Sequence, residues 1–175
     1  MGLLRRKPLT WVLLGVVVAG LVMGLALFEP WRAFTSSRLD EPLPVAAADE
    51  PTGAPTTSPP AQSQVLAQGE FVSQEHDTAG TARVLELPDG SRVLRLEGFA
   101  TSDGPDVHVW ISEATAGGDW HAYDDGRLVP LGEIKATEGN HNYAIPADAD
   151  LAGLNSAVIW CDRFNVAFGS APLAL

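Results

Sequence analysis

With 175 residues, 22 of them acidic and 11 basic, the chain carries a formal charge of -11 and has room for one ordinary domain plus flanking segments. The charge is uneven: 17 acidic and 6 basic residues lie from Gly69 onward, whereas the first 68 residues hold five of each. So acidic a domain repels phosphate, which excludes nucleic acid as a partner, and the single cysteine excludes an intrachain disulfide, a Cys-x-x-Cys pair and a cysteine-rich zinc site.

Residues 1–8 end in a basic cluster, Arg5-Arg6-Lys7, and Leu9–Phe28 follows as twenty residues without a charge. That length crosses a hydrocarbon core as one helix, with Trp11 and Trp31 near the two interfaces. The basic cluster is expected to stay cytoplasmic. The chain is thus read as a single-pass signal anchor in the cell membrane, with its C-terminal domain extracytoplasmic. A cleaved signal peptide is the competing reading; its apolar region is usually shorter, and Ala26-Leu27-Phe28 is a poor cleavage site. No lipobox-type cysteine follows the apolar stretch, which excludes lipoprotein anchoring.

Residues 29–68 read as a disordered linker. Six prolines (Pro42, Pro44, Pro51, Pro55, Pro59 and Pro60) fall within nineteen residues, too densely for a helix or a central strand. Thr, Ser, Ala and Gln fill much of the rest without any hydrophobic period, so the segment is expected to hold a domain away from the membrane.

From Gly69 to Leu175 the pattern is all-β. Ala82–Leu87 and Ser91–Phe99 flank Pro88-Asp89-Gly90, a strong hairpin signal. Val84, Leu94 and Leu96 are core candidates there, and Arg83, Arg92 and Arg95 are expected to face water. Asp103-Gly104-Pro105-Asp106 reads as a turn before a strand over Val107–Ser112, in which Val107, Val109 and Ile111 share one face and His108 and Trp110 the other. Thr115–Gly126 is loop. Leu128–Ile134 and Asn142–Ile145 are strands, and Ala147–Leu154 has room for one helical turn. About seven short strands without a long amphipathic helix predict an antiparallel β-sandwich or flattened barrel.

Ala157–Phe168 (AVIWCDRFNVAF) holds the one cysteine, Cys161, in an apolar, aromatic run. It reads as two strands joined tightly at Asp162-Arg163, or one strand with a bulge. Alternation puts Cys161 with Ile159 and Ala157, and turns Trp160 and Val158 the other way. A lone thiol in such a strand is either an inert small hydrophobe, or a redox thiol or the ligand of a metal or haem.

The frame Gly69-Glu70-Phe71, His76, Ala79–Ala82, Leu94–Phe99 and Gly104–Val107 resembles the electron-transfer DM-thirteen domain, a DOMON- and Skeletor-associated family. The second half is closer still, through Leu131-Gly132, the run Gly139–Pro146 and Val158-Ile159-Trp160-Cys161 with Phe164 and Phe168-Gly169. The chain resembles a membrane-anchored, bacterial-type member. The resemblance implies an all-β extracytoplasmic domain that serves in redox transfer through its cysteine, as a bare thiol or as ligand to a group such as haem, and that role carries onto Cys161.

Trp160, Phe164 and Phe168, with Trp110 and Phe99, would line an apolar cofactor pocket, although the same aromatics fill any sandwich core. His76, His108, His121 and His141 show no pair at ligand spacing, and His121 and His141 fall in polar turns, so no metal site is expected. The Asp103–Asp106 and Asp124–Gly126 turns suit calcium, or simply cap their own backbone. Neither a nucleophile elbow, a metalloprotease helix nor a phosphate loop is present, so nothing supports a hydrolase; at most an electron-transfer component is implied by the resemblance. Its partners are then the membrane and a redox protein. The competing function is a non-catalytic cell-surface binding or structural module with a buried cysteine.

Overall fold

The computed structural model describes residues 6–28, 31, 35–44 and 63–175. Helix α1 (Arg6–Phe28) is apolar on every side from Trp11 to Leu27, and its Val and Leu side chains there are exposed all round rather than along one stripe. Its Thr10–Leu27 portion is long and apolar enough to cross a membrane.

The β domain has ten strands among the described residues: β1 (Arg38–Asp40), β2 (Gln64–Glu70), β3 (Val72–Ser73), β4 (Ala79–Glu86), β5 (Arg92–Ala100), β6 (Val107–Ser112), β7 (Leu128–Glu133), β8 (Glu138–Ile145), β9 (Ser156–Cys161) and β10 (Val166–Pro172). They form two five-stranded sheets, β1-β8-β5-β4-β2 and β3-β10-β9-β6-β7. Every pairing is antiparallel except β1 on β8. This is the sandwich alternative, not a barrel, because the two sheets share no strand.

The hairpin β4–β5 forms as its sequence dictates. Gly90 takes φ +81°, and the Asp89 carboxylate accepts bonds from the Ser91 amide at 2.9 Å and the Ser91 hydroxyl at 2.6 Å. Period-two alternation then sends Val84, Leu94, Leu96, Val107, Val109, Ile111, Ile159 and Cys161 between the sheets. A second, smaller apolar cluster covers the outer face of the second sheet. There Trp110, Val158, Trp160 and Ala167 lie beneath Tyr123 of the long loop after β6.

Four sequence expectations change. The linker is not uniform: residues 35–44 lie along β8, and β2 starts at Gln64 rather than Gly69. Polar groups hold this strap. The Ser37 amide donates to Thr137 Oγ1 at 2.8 Å, the Asn142 amide donates to the Glu41 carboxylate at 2.6 Å, and Lys135 pairs with Glu41 at 3.0 Å. Residues 45–62 of the expected linker lie outside the described residues. Arg95 does not face water. It sits on the outer side of β5 but is only 7% exposed, because the strap covers it. His141 is in no turn: it belongs to β8 and alternates inward with Tyr143 and Ile145, fully buried. Residues 147–154 form turns without a helical segment.

Candidate redox site around Cys161

Cys161 closes β9 in register with Val107 of β6 and Val166 of β10. The chain then reverses over Asp162–Asn165. Asn165 takes φ 52°, a left-handed conformation that asparagine tolerates better than most residues. The reversal therefore joins two strands, which settles the choice between a tight turn and a bulge at Asp162.

The sulfur has no exposed surface, and Val107, Val166 and Phe168 beside it are each at most 5% exposed. Burial pushes the thiol above its ordinary value, and the Asp106 carboxylate acts in the same direction. The neighbouring main chain of Phe164, Arg163 and Asp106 opposes this. The outcome is a thiol whose charged form burial disfavours. It forms no disulfide.

The other residues proposed for a pocket go to different places. Trp160 points to the outer face of the sheet. It stacks on Trp110 with centroids 5.0 Å apart and planes 28° apart, with Tyr123 edge-on at 6.5 Å. Its indole N–H donates to Asp162 Oδ1 at 2.8 Å. Phe164 is on the surface of the turn, 49% exposed. Phe168 is in the inter-sheet core, 4.1 Å from the His76 ring. Phe99 packs on Phe71 and His141. Of the aromatics proposed for the pocket, only Phe99 and Phe168 share the inter-sheet core with Cys161. An iron porphyrin on the sulfur would need an open apolar face, and that face is closed by packed side chains, so the arrangement does not fit haem.

Sequence spacing alone did not reveal one constellation beside the cysteine. His108 Nε2 is 2.8 Å from Asp106 Oδ1 and 3.9 Å from Asp162 Oδ2. The three ligand atoms lie within 4.8 Å of one another, a spacing a divalent cation can bridge. Asp106 and His108 are two apart at the start of β6, Asp106 in the turn that leads into it. Only the β6–β9 register brings Asp162 to them, through the Asp162 amide bonded to the Asp106 oxygen at 2.9 Å. His121 is exposed and sits 2.6 Å from the Asn165 oxygen, far from ligand company. A depression of about 350 Å³ lies next to the Asp103–Val107 loop, lined also by Ser37 and Glu133–Thr137.

The architecture is thus a two-sheet sandwich with one buried cysteine at a sheet end. Residues 70–173 match the family described as Electron transfer DM13, and the chain belongs to that family. No curated protein and no solved structure matches the chain. The family description points to a role in electron transfer.

Proposed function

We infer that the chain is a membrane-tethered extracytoplasmic component of electron transfer or thiol redox exchange, with Cys161 as its functional residue and a redox protein as its partner. The observation that carries this reading is the place of the sulfur: Cys161 ends β9 and is followed at once by a four-residue, solvent-exposed turn. Opening of the turn, rather than unfolding of the sandwich, would deliver the sulfur to a partner. The closed apolar face favours a bare thiol over a haem ligand.

The second reading is a structural or binding module whose cysteine is inert, and the full burial and raised thiol value favour it. Thiol labelling of the full-length chain across a denaturant series separates the two. Labelling whose rate is independent of denaturant at low concentration reports local opening of the turn and supports redox use. Labelling that tracks global unfolding throughout leaves the structural module. Absorbance of the same sample tests the haem alternative: a Soret band lost in Cys161→Ala would overturn the bare-thiol form.

A further inference from the structure

The turn that follows Cys161 touches the end of helix α1. Arg163 Nη1 donates to the main-chain oxygen of Leu27 at 2.8 Å. Leu27 lies in the last turn of α1, where carbonyls lack partners within the helix and the helix dipole favours a cation. The helix has no basic residue of its own in that turn, so Arg163 supplies one.

The strap gives an independent line to the same place. The chain enters the sandwich at Thr35, whose hydroxyl donates to Asp103 Oδ2 at 2.7 Å, and at Ser37, which bonds Thr137 through both its amide and its carbonyl. These partners belong to the end of the sandwich built from the loops 101–106 and 134–137 and the turn 162–165. Thr35 is seven residues beyond Phe28, a reach of at most about 25 Å. The hairpin turn at Asp89-Gly90 lies at the opposite end, beyond the nine residues of β5, or about 30 Å. A tether this short keeps the Cys161 end near the helix exit.

The geometry points to a bilayer-contact surface: the turn Asp162–Asn165 seats Phe164 in the interfacial zone of the membrane that α1 spans. The inference rests on the membrane-anchor reading above and adds an orientation and a lipid partner to it. Phe164 is an exposed ring at the tip of the turn, and its neighbour Arg163 reaches toward the headgroup region, a pairing suited to that zone. Around the turn lie Asp103, Asp106, Glu133 and Asp162, with Arg163 and Lys135 as the cations. That acidic surround is repelled by anionic headgroups and not by zwitterionic ones, so the occupant is a phosphatidylcholine-like surface. Access to Cys161 would then be from the membrane side, for carriers that reach the bilayer surface.

The test uses the full chain in phosphatidylcholine vesicles. A fluorophore on Phe164→Cys in a Cys161→Ala background is compared with one on Ser91→Cys at the far end. The expected result is strong quenching at position 164 by nitroxide lipids labelled in the headgroup region, with several-fold weaker iodide quenching than at position 91. Equal iodide access at both positions, in a chain that floats with the vesicles, overturns the orientation and leaves the anchor intact. A chain that does not float overturns both. Because Cys161→Ala could perturb the core, a second variant keeps the cysteine and replaces Phe164 with the photoreactive benzoylphenylalanine. Lipid adducts on irradiation support the inference, and protein-only adducts or none overturn it.

Discussion

Arg95 and Glu41 meet across 54 residues of sequence on the outer face of the first sheet. The guanidinium Nη1 of Arg95 donates to the Glu41 main-chain oxygen at 3.2 Å, to that of Pro42 at 3.3 Å and to Asn142 Oδ1 at 2.7 Å, while Nε donates to Glu97 at 2.9 Å. A charged group with this many partners, almost wholly covered, ties the strap to the sheet. Arg95→Ala should lower unfolding stability by about 2–3 kcal/mol, the range for charged hydrogen bonds lost together with their packing. It should also make residues 35–44 sensitive to protease before the rest of the domain. Denaturant melts and timed proteolysis measure the two effects.

Gly139 offers a test of the strap from the opposite partner. It takes φ +114°, and a Cβ built there would run into the Leu39 main-chain carbonyl of β1. Gly139→Ala should therefore displace β1 and cost about 1–3 kcal/mol. Hydrogen exchange should show loss of protection at residues 38–41 with the β4–β5 hairpin unchanged. Unaltered protection of β1 would refute the close approach.

His141 predicts a pH dependence. Burial among Phe99, Tyr143 and their neighbours holds its imidazole below the ordinary 6.5, and nearby Lys135 acts in the same direction. The bond to the Glu138 oxygen and the charges of Glu41 and Asp40 oppose this. Above pH 6.5 both folded and unfolded chains hold it neutral, so it contributes no slope. As pH falls below 6.5 the unfolded chain takes up the proton first, and stability declines until the folded imidazole also titrates. Its Nδ1 has no partner in the core, so replacement by an apolar ring gives up only the 3.1 Å contact of Nε2 with the Glu138 oxygen. His141→Phe should flatten the stability profile between pH 6.5 and lower values in calorimetric melts.

Asp162 and Trp160 form a local lock on the outer face, beside the cysteine but not touching its pocket. Asp162→Asn retains an oxygen for the indole N–H and should behave close to the parent. Asp162→Ala removes it and should cost about 1 kcal/mol, with a shift in tryptophan emission as the Trp160–Trp110 stack loosens. Equal emission spectra for the two variants would show that the bond does not orient Trp160.

Much of this arrangement was legible from side-chain alternation. The opposite facing of Cys161 and Trp160, the span of β6 and the β4–β5 hairpin each follow from period two and turn chemistry. The same alternation also argues against Trp160 sharing a pocket with Cys161, which the aromatic content of the stretch obscured. β1 was not legible because its docking has no hydrophobic signal. It is a three-residue strand held by Ser37, Asp40 and Glu41, set in a proline-dense segment whose composition matches a free linker. Arg95 was misplaced for the same reason, since nothing local announces the strap that covers it. The Asp106–His108–Asp162 cluster depends on which strands are neighbours, and spacing within one strand does not carry that information.

The strap and β2 also decide how this protein can be cut. The family match spans residues 70–173, which omits β1 and all but the last residue of β2. A fragment trimmed to that span would present two bare ladders, along β8 and along β4, each with unsatisfied amides and carbonyls ready to recruit a second chain. Self-association of such a fragment would then be a product of truncation. Starting at Thr35 keeps β8 and β4 covered by β1 and β2.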